Sequence, residues 1–216
     1  MRTEELLKLA REATARPGEP AAVLGLAGPP GTGKSTLATV LCAGLRERYG
    51  PHAAGYAPMD GFHLSNVQLG RLGLTDRKGA PQTFDVDGYA ALLARLAAPG
   101  APDVYCPDFD RELDEPVAAR HVVTAGTRLV ITEGNYLACE LPGWDVVRTH
   151  LTLLWYVETP PAVRRKRLVE RQLAGGREKA AAEAWVAGND WPNTELVHSS
   201  RDSPRVDRLV HWSGHG

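Results

Sequence analysis

Eight residues, Gly28-Pro29-Pro30-Gly31-Thr32-Gly33-Lys34-Ser35, match the pattern GxxxxGK[ST] in full and constrain this chain more than any other feature. A glycine-rich turn can aim several backbone N–H groups at one anion, and a helix starting at its end adds the positive pole of its dipole. Main chain free of β-carbons approaches phosphate closely, which is the use of Gly28, Gly31 and Gly33. Lys34 is expected to bring a point charge to the β- and γ-phosphates, and the Ser35 hydroxyl is placed to ligate Mg²⁺. Thr32 and Thr36 complete the expected nucleotide-binding set. The flanks agree: residues 21–27 are a short apolar run, and Leu37, Val40, Leu41 and Leu45 recur at helical spacing. Strand, loop and helix in that order separate the octet from an ordinary glycine-proline surface turn. The chain is therefore expected to bind a nucleoside triphosphate.

At 216 residues with 43% hydrophobic and 24% charged side chains, the chain suits one domain with a continuous core. Its 25 Lys and Arg nearly cancel 26 Asp and Glu, so no overall field favours a nucleic acid polymer or an anionic membrane. Cys42, Cys106 and Cys139 are odd in number and widely spaced, which fits small core thiols in a reducing cytoplasm better than a disulfide frame. Residues 1–15 are amphipathic and read as a helix that docks on the domain; they lack the apolar block of a secretory signal. No run approaches the roughly 20 apolar residues of a membrane span. No heptad or long apolar seam declares an interface, so monomer and homodimer are both open.

Apolar runs recur at residues 21–27, 53–59, 102–106, 128–132 and 150–157, with helical patterns between several of them. This alternation predicts an α/β fold, a parallel sheet wrapped by helices. In such sheets ligands bind beyond the carboxyl ends of the strands, so the residues after each run carry the candidate chemistry. Asp60 follows the second run and could take the proton of an acceptor hydroxyl; helix N-cap and metal-shell ligand are its other readings. His63, three residues on, is either a substrate contact or a structural residue. Glu133 follows the fourth run, where an acidic residue serves Mg²⁺ directly or through water. After the fifth run, Pro161 starts a helix that puts Arg164, Arg167 and Arg171 on one face, either a lid over phosphate or a solvated stripe.

In order along the chain, Asp60-Gly61-Phe62, residues 77–85, Thr132-Glu133-Gly134 and the arginine helix resemble the P-loop kinases that include uridine kinase, pantothenate kinase and phosphoribulokinase. The resemblance runs from Val23 to His211. It implies a three-layer P-loop fold: a single domain over 1–216, with a core at about 20–160, a helical lid at about 160–188 and a nucleotide-side segment at 189–216. It implies an ATP-dependent, Mg²⁺-requiring kinase that phosphorylates a hydroxyl of a small metabolite, whether nucleoside, sugar or pantothenate-like. It further implies that Asp60 is the general base, that Lys34 and Arg167 support transfer, and that Arg164 and Arg167 reach phosphate from the lid. Asn193, in a Pro-Asn stretch similar to that of pantothenate kinases, is implied to lie by the nucleotide base. Tyr105 is implied to touch the acceptor, with Asp110 and Arg111 as neighbours or else an exposed ion pair. Gln82 stands where uridine kinases carry the aspartate that grips a ribose diol, and a neutral amide lacks the charge-assisted part of that grip. Lys78 either faces the acceptor or is a solvated loop cation. The competing function is a nucleotide-dependent ATPase or switch acting on a protein partner, although the Asn-Lys-x-Asp guanine motif is absent.

Overall fold

The structure, a computed structural model, describes residues 1–212. Helix α1 (Thr3–Glu12) precedes strand β1 (Ala22–Ala27), and helix α2 (Lys34–Tyr49) starts inside the glycine-rich octet. Next come β2 (Gly55–Tyr56), α3 (Asn66–Leu72), α4 (Val86–Leu96), β3 (Val104–Asp110) and β4 (Glu115–Val123). The second half contributes β5 (Leu129–Glu133), α5 (Trp144–Thr149), β6 (Leu153–Glu158), α6 (Pro161–Ala174), α7 (Lys179–Trp185), α8 (Trp191–His198) and β7 (Arg208–His211).

Five strands form one parallel sheet in the order β2-β5-β1-β6-β7. Successive side chains of a strand point to opposite faces, and the core divides accordingly. Val23, Ala27, Val130, Leu154 and Tyr156 join the core under α4 and α5. Leu24, Leu26, Leu129, Ile131, Trp155 and Val157 join the core under α1 and α2. Burial of both faces explains why these strands read as unbroken apolar runs. The amphipathic N-terminus docks as expected: Leu6, Leu7 and Ala10 are buried, and each such leucine contributes about 1.5–3 kcal/mol by leaving water.

The run at 102–106 is not a strand of this sheet, which corrects the sequence expectation. It opens β3, which pairs antiparallel with β4 in a separate two-stranded hairpin. Only one face of that hairpin meets the core: Val104 and Cys106 are buried, and Tyr105 between them is 64% exposed. Strand β7 was absent from the predicted runs, being four residues long. Cys42, Cys106 and Cys139 are buried free thiols. Among the described residues no helix is long and apolar enough to cross a membrane. Residues 213–216 of the expected nucleotide-side segment lie outside the described residues.

Candidate active site

The octet leaves the carboxyl end of β1 and turns by means of Gly28, Gly31 and Gly33, at φ +141°, +79° and +89°. All three values are costly for residues with a side chain. A β-carbon on Gly28 would lie 2.4 Å from the Val157 carbonyl oxygen, so β6 itself demands glycine there. Within the loop, the Thr32 hydroxyl and the Lys34 ammonium donate to the Pro29 carbonyl at 3.0 and 3.1 Å. Thr159, just after β6, donates to the Thr32 carbonyl at 3.0 Å. Arg167 on α6 donates to the carbonyls of Gly31 and Thr32 at 3.3 and 3.4 Å. With these carbonyls drawn outward, the loop is held as a concave shell around the start of α2.

Strand β5 sets the opposing acid. Leu26 of β1 is in register with Glu133, which brings that carboxylate to the mouth of the loop. Glu133 is 3% exposed, accepts from the Tyr56 hydroxyl at 3.1 Å and is hydrogen-bonded to the Ser35 side chain. Burial, reinforced by the charge of Asp60, holds Glu133 above the ordinary carboxylate value, while Lys34 pulls it back. Burial likewise holds Lys34 below the ordinary lysine value, against the opposing pull of Glu133 and Asp60. The Lys34 ammonium also donates to the Asn135 side chain at 2.8 Å. A hydroxyl and a carboxylate in hydrogen-bond contact, beside a loop made for phosphate, form a donor set that suits Mg²⁺. Among the described residues no cluster of three or more His, Cys, Asp or Glu could cage a metal, so the remaining positions would fall to nucleotide oxygens and water.

Asp60 sits in a short 3₁₀ turn, Met59–Phe62, between two glycines that allow close approach. A β-carbon on Gly134 would lie 2.3 Å from the Met59 sulfur, so the turn rests on the end of β5 beside Glu133. A β-carbon on Gly61 would lie 2.5 Å from the Pro107 carbonyl, so the β3–β4 hairpin rests on the turn's other side. Asp60 is thereby near enough for its charge to act on Lys34 and Glu133 alike. Its own nearest cation is Arg111, at 3.7 Å. An ammonium, two carboxylates and a hydroxyl thus meet beyond the ends of β1, β2 and β5. Such a grouping can hold a polyphosphate and deprotonate a hydroxyl beside it.

No protein-family model matches the chain. It is 32% identical over 191 residues to a protein of Schizosaccharomyces pombe named "putative uridine kinase", covering 85% of this chain and 81% of that one. It is 38% identical over 175 residues to YggC of Escherichia coli, a protein described as uncharacterized, covering 81% of this chain and 72% of that one. A solved structure from Silicibacter, named a "putative fructose transport system kinase", shares 35% identity at a TM-score of 0.86, over 99% of this chain and 100% of that one. The chain belongs to the uridine kinase-like P-loop kinases. Yeast relatives named ATP-dependent kinases extend the same likeness, and this chain spans about half of their length. The protein is an ATP-dependent small-molecule phosphotransferase.

Within this kinase the other residues singled out by sequence separate into groups. His63 stacks on Phe84 at 4.1 Å and Phe109 at 4.8 Å, and burial pulls its imidazole down to about 4. Its Nδ1 is closed from solvent without a hydrogen-bond partner, one turn from Asp60. Arg111 does not pair with its neighbour Asp110. Asp110 caps the hairpin turn through the Glu112 and Leu113 amides, both at 3.0 Å, and binds Arg120 at 2.8 Å. Lys78 is neither solvated nor turned to a ligand: it clasps the hairpin tip, bonding the Asp114 carboxylate at 2.8 Å and Asn66 at 2.7 Å. Tyr105 points outward from the hairpin, because alternation puts Cys106 inward. Arg164 is buried and ties α6 to α8, donating to Thr159 at 3.2 Å and Thr194 at 3.3 Å and stacking on Trp191. Gln82 and Asn193 share the wall of a cavity that no residue of the octet lines.

Some residues at the site were not singled out. Tyr56 and Asn135 flank strand ends, and the rule that chose Glu133 could have chosen them. Arg171, already placed on the arginine face with Arg164 and Arg167, is 40% exposed and lies 4.0 Å from the Asp190 carboxylate. Trp212 lies where a β-carbon of Gly33 would come within 3.3 Å of its ring, a neighbour that nothing local in the sequence announces.

Proposed function

We propose that this kinase moves the γ-phosphoryl group of ATP to a hydroxyl of a small sugar or hydroxy-acid metabolite, with Asp60 as general base. The observation that carries the proposal is the meeting of Lys34, Ser35, Glu133 and Asp60 at the mouth of the glycine-rich loop. The amides around Gly28, Gly31, Thr32, Gly33, Lys34, Ser35 and Thr36 cradle the β- and γ-phosphates. Ser35 and Glu133 would hold Mg²⁺, which would supply positive charge to the phosphates. Asp60 accepts the hydroxyl proton as the acceptor oxygen bonds to phosphorus and the bond to the β-phosphate oxygen breaks, releasing ADP. Lys34, Arg167 and Arg171 stabilise negative charge during transfer.

On the acceptor side, Arg111 lies 3.7 Å from Asp60, and neutral His63 sits in the same turn. A guanidinium beside the base favours a polyhydroxyl or anionic acceptor over an uncharged nucleoside. The name of the Silicibacter relative, a "putative fructose transport system kinase", points in this direction.

The test is ADP release with fructose, glycerate, pantothenate and uridine as acceptors, in wild type and Asp60→Asn. The variant is expected to keep ATP binding and to lose about 10²–10⁴ in kcat, the usual worth of a general base. Turnover at the wild-type rate by the variant would remove Asp60 from the mechanism. ATP loss indifferent to every acceptor and raised by a protein fraction would favour the switch instead.

A further inference from the structure

A cavity of about 500 Å³ lies between the 77–86 segment, the stretch before α5, and α8. Its lining includes none of Lys34, Asp60 or Glu133. Phe84, 7% exposed, lines the cavity and also stacks on His63 at 4.1 Å, so aromatic side chains partition the cavity from the reaction centre. Phe84 also packs edge-on against Tyr136 and Trp144. The cavity is therefore a separate space, within the volume range of small-molecule sites.

Its chemistry is uneven in a way that points to a ligand. Arg77 lines it, and no described residue supplies its guanidinium with a hydrogen bond or ion pair. Asn193 lines it too; it is only 4% exposed, yet its side-chain amide has no partner among the described residues. Gln82 adds a third unpartnered polar group at the rim. The remaining wall is apolar, with Phe84, Trp144 and Leu141 facing the same space. A cation and two amides on one side and an aromatic wall on the other match an organic anion: a carboxylate carrying a compact apolar body.

We propose that this cavity is a second ligand site, distinct from the nucleotide and acceptor sites, that takes a small organic carboxylate through Arg77, Asn193 and Gln82. The loop that forms it is stitched to the Asp60 turn by Leu64 N–H to Thr83 O at 2.9 Å and Asp85 N–H to Phe62 O at 2.8 Å. An occupant therefore bears on the turn that carries the base without touching it.

The test uses the full-length kinase labelled with 5-fluorotryptophan and titrated with benzoate, the Trp144 resonance being assigned with Trp144→Phe. Benzoate is expected to shift that resonance saturably and to bind Arg77→Met about tenfold more weakly, as loss of a charge-assisted hydrogen bond requires. Benzamide, which lacks the charge, and inorganic phosphate, which lacks the apolar body, are each expected to compete poorly. Lys34→Met and saturating ATP are expected to leave benzoate binding unchanged. No saturable shift of the Trp144 resonance, equal binding to Arg77→Met, competition by phosphate as strong as by benzoate, or loss of binding with ATP would each overturn the proposal.

Discussion

Around the glycine-rich loop, position is set by main chain: β1, β5 and β6 lie in register, three glycines adopt left-handed angles, and carbonyls of the loop are tied to Thr159 and Arg167. Around Asp60, position is set by contact between separate pieces, with Met59 against Gly134, Gly61 against Pro107 and the hairpin tip tethered by Lys78. The first arrangement is as rigid as the sheet. The second depends on a two-stranded hairpin outside the sheet, whose outer face is open to water. This division lets acceptor contacts change without disturbing the sheet that carries the phosphate loop.

Breaking each half in turn should give different signatures. Lys34→Met should cost the most, about 10²–10³ in kcat, since it removes a preorganised charge from a water-poor site. Steady-state kinetics with varied ATP would show it; unchanged kcat would mean that the loop amides suffice. Gly61→Ala should push the hairpin off the Asp60 turn, because the three obstructing atoms, of Pro107 and Asp108, are all backbone and cannot yield. The expected loss is about 10–10² in kcat/KM for the acceptor, in line with misplacing a positioned group, at unaltered ATP affinity by calorimetry. Equal loss for both substrates would show that the two halves are mechanically one.

Tyr56→Phe removes the hydroxyl that orients Glu133 and should raise the Mg²⁺ requirement several-fold, up to about tenfold, without changing thermal stability much. A magnesium titration of initial rate would check it, and an unmoved midpoint would detach Tyr56 from the metal. Lys78→Met should act on stability alone. Its clasp joins a shielded ammonium to a largely exposed carboxylate, so about 1 kcal/mol or less is expected from chemical unfolding, with kcat preserved.

The pH dependence sharpens the comparison from the nucleotide side. Glu133 is held above its ordinary value and must be ionised to bind metal, so the acid limb of kcat/KM for ATP should fall well above pH 4.5. Lys34 is held below its ordinary value and must be protonated, so the alkaline limb should fall well below pH 10.5. For the ligand-free fold the signs follow from proton counting. A raised Glu133 makes the native state bind more protons than the unfolded chain above pH 4.5, so its contribution to stability declines as pH rises through that region. Limbs at the ordinary values of the two groups would mean that neither is shielded in solution.

What could be read from the sequence follows the same division. The octet, Glu133 and the five-run alternation are local patterns whose meaning depends on a few adjacent residues. Four of the five runs entered the parallel sheet. The fifth, at 102–106, was misplaced because an apolar run does not reveal its pairing partner; β4, with Glu115, Arg120 and His121, carries too much charge to lie between helices. Asp60 was legible as a residue after a strand. The fates of Asp110, Arg111, Lys78 and Tyr105 were not, since neighbours in a hairpin point to opposite faces and choose partners far along the chain. Arg164 and Arg167 share one helical face, yet one ties α6 to α8 and the other holds loop carbonyls.

By itself, the order of residues determined that a strand, a glycine turn and a helix would build a phosphate cradle, because backbone freedom and helix polarity are properties of short segments. Only the tertiary structure decided which charges surround that cradle, which face the acceptor, and which were used up as struts. Those outcomes depend on distances between segments as much as 136 residues apart, and such distances exist only once the two cores have closed on the sheet.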